Sequence, residues 1–181
     1  MPKSRPSPGD SLRSAWRRLA PLPGGRRLFS RMLGLMVPYS ATIRPLVLAL
    51  EPGYALIRIR DRRAVRNHLD SIHAIALANA AELASGLAML SSLPATARGI
   101  PIRFSIDFLK KARGPLEAEC RCTLPDVTRD GEHDLTASVR NAAGEAVARA
   151  TVRWRLGPVE AGIGNRESAI GRGGEERGGN G

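Results

Sequence analysis

Three polar side chains interrupt a long apolar stretch near the middle of this chain: Asn79, Glu82 and Ser85. Asn79 and Glu82 are three residues apart, so they share a face if the stretch is helical. An ionised carboxylate in apolar surroundings is costly unless it is paired, hydrogen-bonded or protonated. Glu82 is therefore either a structural carboxylate that is satisfied or reaches the helix edge, or a catalytic carboxylate in a cleft.

The apolar stretch predicts a helix over residues 72–90. It is apolar on nearly every side, which is typical of a buried helix rather than a surface helix. A polar loop at residues 61–71 leads into it, and Pro94 lies beyond its end.

Strand-like segments flank the helix on both sides. Residues 42–50 and 54–60 precede it, joined by a turn at residues 51–53. Four segments follow it with a two-residue apolar period and one polar face each: residues 100–108, 116–124, 135–140 and 148–155. In the first of these, the side chains of Ile100, Ile102, Phe104, Ile106 and Phe108 are predicted to face one way. Because short turns join the four segments, we predict an antiparallel meander. The fold class is then α+β, with a curved antiparallel sheet wrapped around one buried helix.

The two ends of the chain differ from this central region. Residues 1–25 are predicted to form a basic, mostly flexible arm. Within that arm, residues 10–20 predict a short amphipathic helix that packs on the domain or on a partner subunit rather than on a membrane. Residues 26–37 predict a second helix, and its apolar stripe is Leu28, Met32, Leu35 and Met36. The main domain is expected at residues 26–157, followed by a disordered Gly-rich tail at residues 158–181.

Composition excludes several classes of function. The formal net charge is +11, but only three of the 28 basic residues are lysines, which we attribute to GC-rich coding rather than to a phosphate-binding surface. The two cysteines, Cys120 and Cys122, and the three histidines lack the spacing of a disulfide framework or a metal site. No apolar run reaches the length of a membrane span, so we expect no such segment and a cytoplasmic location. The basic arm has one aromatic residue, Trp16, and no reading motif, so we expect no nucleic-acid partner.

The order of two strands, one long helix and four strands resembles the hotdog fold. It is most similar to the PaaI-like thioesterase branch and its relatives classified as domain of unknown function 4442. In that branch an Asn precedes a His by six residues, and a carboxylate follows the His by nine. Asn67, His73 and Glu82 keep both spacings. The resemblance covers about residues 26–156, and the segment from residue 102 to the short basic turn at residues 110–114 also resembles the family's.

The resemblance implies an acyl-CoA thioester hydrolase whose cleft lies between the subunits of a homodimer or a dimer of dimers. Glu82 would act as general base or nucleophile, Asn67 would orient the water or the carbonyl, and His73 would position the loop or hydrogen-bond the thioester. The backbone N–H groups of Ala74 and Ile75 would stabilise the oxyanion. Coenzyme A is expected only as part of the substrate. The substrate-binding candidates, the last five of them for the coenzyme A phosphates, are Ile75, Asn79, Arg98, Arg103, Lys110, Lys111 and Arg113.

Two departures from the family's pattern leave alternatives open. Active members usually have Gly-Gly after the His, whereas Ala74 and Ile75 place side chains where the substrate approaches. Some members have a catalytic Ser or Thr near the start of the third strand, where this chain has Pro101. The main alternative is therefore a non-catalytic protein that binds an acyl ligand. A hydratase is less favoured, because Asp70 and His73 are three residues apart, whereas those enzymes have a spacing of five.

Overall fold

One antiparallel sheet of six strands packs against a long helix, and three further helices precede the sheet along the chain. The computed structural model describes residues 7–159. The helices are α1 (Pro8–Leu19), α2 (Gly25–Met36), α3 (Pro38–Ala41) and α4 (Ala74–Ser92). The strands are β1 (Leu46–Glu51), β2 (Tyr54–Ile59), β3 (Ala97–Phe108), β4 (Leu116–Arg121), β5 (Gly131–Arg140) and β6 (Ala146–Pro158). This arrangement confirms the predicted α+β fold.

Helix α4 is the helix predicted over residues 72–90, and it forms the centre of the core. It packs mainly on β2, β4 and β5. Its innermost side chains are small, and Ala80, Ala84 and Ala88 are completely buried. Small side chains let the helix approach the sheet closely. The helix ends at Ser92 because the next residue precedes Pro94 and takes the extended conformation that a following proline favours.

The strand order is β1-β2-β4-β5-β6-β3. The predicted meander is therefore right for β4, β5 and β6 but wrong for β3, which pairs with β6 instead of with β4. The connection between β3 and β4 lies against the start of α4. The Ser71 hydroxyl donates to the carbonyl of Ala112 at 3.1 Å and accepts from its N–H at 3.0 Å. Alternation within a strand carries no information about such a crossover, which is why the sequence did not reveal it.

Strand β3 is an edge strand with a bulge directly after Pro101. Proline has no N–H to donate to the ladder, so irregular pairing is expected there. The bulge reverses the alternation of side chains. Ile100 lies opposite exposed Arg155, whereas Phe104 lies opposite buried Val152. The prediction that Ile100 faces the same way as Phe104 is therefore wrong.

Helix α1 packs on the domain, as predicted for the helix over residues 10–20. The Ser7 hydroxyl accepts from the N–H of Asp10 at 2.9 Å, and the Asp10 carboxylate accepts from the N–H of Ser7 at 3.4 Å. This reciprocal capping box satisfies N–H groups that the first helical turn leaves unpaired. Trp16 packs edge-on against Phe29 of α2, with ring centroids 5.0 Å apart.

The predicted domain limits at residues 26 and 157 stay predictions, although the structure describes part of the N-terminal arm. Helix α1 lies within residues 1–25, so part of the arm that we expected to be mostly flexible is helical. The predicted disorder of residues 1–6 and 160–181 lies outside the described residues.

The apolar stripe predicted for α2 is largely exposed. Leu28, Leu35 and Met36 are 56%, 84% and 67% exposed. The opposite side of α2 contacts the core through Phe29 and Leu33, which are buried. Helix α2 thus has two apolar faces, and helical periodicity alone does not tell which of them packs inward.

By length and composition α4 could also cross a membrane, contrary to our expectation that no apolar stretch is long enough. An 18-residue window within α4 has a mean hydropathy of 1.4. However, 67% of that window is buried within the domain, as expected of a core helix. The cytoplasmic location stays a prediction.

Candidate functional site

The loop before α4 is closed on itself, and this fixes the start of the helix. The N–H of Asn67 donates to the carbonyl of Ser71, and the N–H of His73 donates to the carbonyl of Val65, both at 2.8 Å. The side-chain oxygen of Asn67 accepts from the N–H groups of Leu69 and Ser71 at 3.0 and 3.2 Å. Asn67 therefore shapes the loop, as short polar side chains often do.

His73 caps the N-terminus of α4. Its Nδ1 accepts from the N–H of Ile75 at 3.1 Å, which assigns the hydrogen of the neutral imidazole to Nε2. Of the two predicted oxyanion donors, the Ile75 N–H is thus occupied in this conformation. The N–H of Ala74 makes no hydrogen bond with another described residue. One donor at the positive end of the helix dipole is therefore left for a ligand.

A groove of about 520 Å³ lies between the first half of α4 and strand β3. It exists because α4 packs over β2, β4 and β5 and barely contacts β3 at the sheet edge. The lining residues are Tyr39, Ile75, Ala78, Asn79, Glu82, Pro101, Ile102, Arg103, Phe104 and Val152. The fold thus brings together four of the predicted site residues: Ile75, Asn79, Glu82 and Arg103. A mostly apolar lining with few polar groups is typical of a ligand site.

Glu82 supplies the carboxylate of the groove. It is half-buried, and burial raises its pKa above the ordinary value for Glu. Desolvation is the cause of this shift, with no opposing hydrogen bond or positive charge from the described residues. No described residue therefore pairs with Glu82, whereas a satisfied structural carboxylate would be expected to have such a partner.

Asn79 anchors the segment that forms one wall of the groove. Its Nδ2 donates to the carbonyl of Tyr39 at 3.3 Å and to the hydroxyl of Thr42 at 3.4 Å. Its Oδ1 is buried and has no hydrogen-bond partner within the described residues. Asn79 therefore holds the Tyr39 backbone against α4, and this contact explains why a residue distant in sequence lines the groove.

A smaller cavity of about 210 Å³ adjoins the groove at the start of α4. Its lining includes His73 and Arg66, and it shares Tyr39, Ile75 and Asn79 with the groove. The side chain of Ile75 lies between the two and is 55% exposed. A glycine at this position would join the two cavities more openly. The presence of Ile75 where the resembling family usually has glycine therefore affects access between the groove and the smaller cavity.

The other predicted site residues lie away from the groove. Asn67 does not line it, and Arg98 and Lys111 are exposed without side-chain hydrogen bonds to described residues. Lys110 pairs with Glu145 at 2.6 Å. Arg113 donates to the carbonyl of Asp70 at 2.9 Å and so supports the loop before α4. Within one chain, only Arg103 of the basic candidates lines the groove.

Sequence reasoning missed Tyr39 and the inward-facing Phe104 as groove residues. The period of β3 contained the signal for Phe104, which lies opposite buried Val152. No local pattern marks Tyr39, because only the tertiary contact with Asn79 places it. Pro101, by contrast, lines the groove where the resemblance expects a hydroxyl-bearing residue. Within residues 7–159, no three side chains cluster in a way that would hold a metal ion.

Comparison with known proteins adds family information. A family model described as a domain of unknown function, DUF4442, matches residues 25–156. A structural-genomics crystal structure is 32% identical, covers 82% of this chain and 98% of its own, and superposes with a TM-score of 0.72. A Pseudomonas aeruginosa protein of unknown function, described as a probable thioesterase, is 25% identical, covers 76% and 97%, and has a TM-score of 0.63.

A third solved structure supports the fold alone. It is a Streptococcus mutans protein bound to acetyl CoA, 20% identical, covering 63% of this chain and 89% of its own, with a TM-score of 0.55. A search of curated proteins gave no significant match. The family match extends over α2, α3, α4 and all of the sheet except the last two residues of β6.

Proposed function

The chain belongs to the DUF4442 family, and from its groove we propose that it is a thioesterase that hydrolyses acyl-CoA thioesters. The observation that carries this proposal is Glu82, a carboxylate in an apolar groove with a raised pKa and no partner among the described residues. Two solved relatives support the substrate class: one is described as a probable thioesterase, and a more distant one holds acetyl CoA.

Glu82 acts as the general base in this proposal. Its carboxylate takes a proton from a water molecule as the water oxygen attacks the thioester carbon. The C–S bond then breaks, and the departing sulfur of coenzyme A receives the proton from Glu82. The products are a carboxylic acid and free thiol. A raised pKa helps both steps, because the group accepts and returns a proton more readily when its pKa is nearer the working pH.

The N–H of Ala74 stabilises the negative charge that develops on the thioester oxygen. It has no partner among the described residues and lies at the positive end of α4. Ala74 and Glu82 are eight residues apart on one helix, which corresponds to about 12 Å along its axis. Groups acting on one carbon must lie within about 3 Å of the reacting atoms. One chain therefore does not supply both groups to one thioester.

A second subunit resolves this separation, so we place each site between Glu82 of one chain and the helix start of its partner. Strand β3 supports such a dimer, since it is an edge strand with exposed Ile102 and Phe104 beside the groove. Asn67 fits the same arrangement. Its Nδ2 makes no hydrogen bond with a described residue, so it is available to a carbonyl held at the partner's groove.

The test is thiol release from a panel of short-chain, long-chain and aromatic acyl-CoAs. We expect Glu82→Gln, which keeps the shape but removes the base, to lower kcat by about 10²–10⁴-fold. Glu132→Gln is the matched control, because Glu132 lies on β5 opposite Arg155, on the other face of the sheet. Unchanged turnover in Glu82→Gln would contradict the assigned base.

Non-catalytic binding of an acyl-CoA is the second candidate, and the side chain of Ile75 favours it. This side chain lies at the rim between the two cavities, directly after Ala74 in the chain. Under this alternative, wild type binds acyl-CoA in calorimetry but releases no thiol. A gain of turnover in Ile75→Gly would then identify the side chain as the obstacle.

A further inference from the structure

The end of helix α1, the turn that follows it and helix α2 have an exposed surface that combines apolar and basic side chains. We call it the basic–apolar face. Its apolar members are Leu22, Leu28, Leu35 and Met36, and its basic members are Arg17, Arg18, Arg26, Arg27 and Arg31. We infer that this face docks the protein on the surface of an anionic phospholipid membrane.

The apolar members are arranged for shallow insertion. Leu28, Arg31 and Leu35 recur at spacings of three and four, so they lie on one side of α2. Leu35 is 84% exposed, the most exposed of the large apolar side chains among the described residues. The opposite side of the helix is anchored in the core by Phe29 and Leu33. An anchored helix that presents leucines flanked by arginines matches the boundary between headgroups and acyl chains.

The charges on this face have no acidic partner among residues 7–159. Residues 11–50 contain seven arginines and no acidic residue. One of the seven, Arg13, pairs with Asp10. The other six are exposed, and the structure shows no ion pair or side-chain hydrogen bond between any of them and another described residue. These six are Arg17, Arg18, Arg26, Arg27, Arg31 and Arg44.

On the outer face of the sheet, by contrast, arginines form ion pairs with acidic residues. Arg153 pairs with Asp134 at 2.7 Å, and Arg58 pairs with Glu117 at 2.7 Å. Acidic partners are thus placed opposite arginines on that face, whereas no described acidic residue pairs with the exposed arginines around α2. Unpaired basic side chains beside exposed leucines are suited to a polyanionic surface, which supplies both the counter-charge and an apolar phase.

A second copy of the chain fits this face poorly. A two-fold interface brings the same patch of both subunits together. The arginines around α2 would then meet the same arginines, with no acidic residue in residues 11–50 of either chain to separate them. Like charges brought together across an interface disfavour association. A membrane with anionic headgroups has no such penalty.

The experiment is co-sedimentation of the full-length protein with vesicles. One set is phosphatidylcholine alone, and the other is phosphatidylcholine mixed with phosphatidylglycerol. We expect binding to the mixed vesicles only, and weaker binding as salt screens the charges. Leu28→Ser with Leu35→Ser, and separately Arg27→Gln with Arg31→Gln, should each lower the partition coefficient on the order of tenfold or more.

The matched control is Arg140→Gln with Arg149→Gln, which removes the same charge from exposed positions on β5 and β6. It should bind like wild type. Thermal unfolding checks that every variant folds, and light scattering gives its oligomeric state. Absence of binding to the mixed vesicles would overturn the inference. An equal loss of vesicle binding in the Arg140→Gln with Arg149→Gln control would also overturn it. A change from dimer to monomer in the leucine variant would also overturn it, since a second copy would then cover the face.

Discussion

The two halves of helix α4 are both mostly apolar but have very different surroundings. Residues 74–82 lie beside the groove, where Ile75 is 55% exposed and Glu82 half-buried. Residues 83–92 are enclosed, and Leu87 and Met89 are 3% and 0% exposed. The sheet causes the difference, because α4 packs on β2, β4 and β5 but leaves a gap toward the edge strand β3.

We therefore expect the two halves of α4 to have different roles, one mainly in stability and the other mainly in catalysis. The enclosed half buries apolar area and so holds the sheet and helix together. The half beside the groove also contributes core residues such as Ala80, but its groove side has a desolvated carboxylate and an N–H with no partner among the described residues. Substitutions on the groove side of the first half should therefore change turnover more than stability, and substitutions of buried side chains in the second half should do the reverse.

Ala74→Pro, which removes the backbone N–H of Ala74, should give the largest effect of the substitutions at the start of α4. Ala74 is the first residue of α4, where proline is well tolerated, and His73 already has the extended conformation that precedes a proline. We expect kcat for thiol release to fall by about 10²–10³-fold while the unfolding midpoint stays the same. Ala74→Gly keeps the N–H and is the control. Similar losses in both variants would contradict an oxyanion role for this N–H.

Mixed dimers extend this test to the proposed division of the site. Neither Ala74→Pro nor Glu82→Gln alone should be active. If each site combines Glu82 of one subunit with the helix start of the other, a mixed dimer regains one intact site. Random mixing should then restore about a quarter of wild-type turnover. No recovery on mixing would show that one chain supplies both groups.

Leu87→Ala should give the opposite result in the enclosed half. Leu87 is 3% exposed, and truncating a buried leucine costs about 2–5 kcal/mol of unfolding free energy. Urea denaturation measures this loss, and turnover per folded molecule should stay near wild type. Leu22→Ala, at a leucine that is 56% exposed, is the matched control and should change stability by less than about 0.5 kcal/mol. A large loss of turnover at full folding would show that the two halves are not separable.

The contrast between the halves was only partly visible in the sequence. Polar interruptions at Asn79 and Glu82 marked the groove side, since both line the groove, and the apolar run marked the core. The order of strands was not visible, because alternation is the same for any neighbour. Nor was the contact that brings Tyr39 to Asn79, or the bulge after Pro101 that turns Ile100 outward. These features depend on tertiary pairing, whereas periodicity reports only local structure.

Substitutions of His73 test whether this residue at the start of α4 has only a structural role or also a chemical one. Its Nδ1 caps the helix by accepting from the Ile75 N–H. Loss of a capping side chain costs about 1 kcal/mol, so His73→Ala should lower the unfolding free energy by about that amount. His73→Ser can accept the same hydrogen bond and should restore stability. If serine restores stability but turnover stays low, the imidazole also has a chemical role.

The smallest effect should be a difference in how stability depends on pH. Burial raises the pKa of Glu82 in the folded protein above its ordinary value of 4.5. Below that ordinary value, Glu82 is protonated in both the folded and unfolded states, so its favourable contribution is fully present. As pH rises, the unfolded state releases the proton first, and this contribution is lost up to the folded-state pKa.

Glu82→Gln has no proton to release, so its unfolding free energy should exceed that of wild type at neutral pH and approach it near pH 4. Asp134 gives a control of opposite sign. The hydrogen bond from Arg153 lowers the pKa of Asp134, so its contribution is present above the ordinary value of 3.8 and is lost as pH falls. Urea denaturation of wild type, Glu82→Gln and Asp134→Asn at a series of pH values measures how the unfolding free energy of each protein depends on pH. If the wild-type and Glu82→Gln curves stay parallel, Glu82 is well solvated in the folded protein, and the first half of α4 does not desolvate its carboxylate.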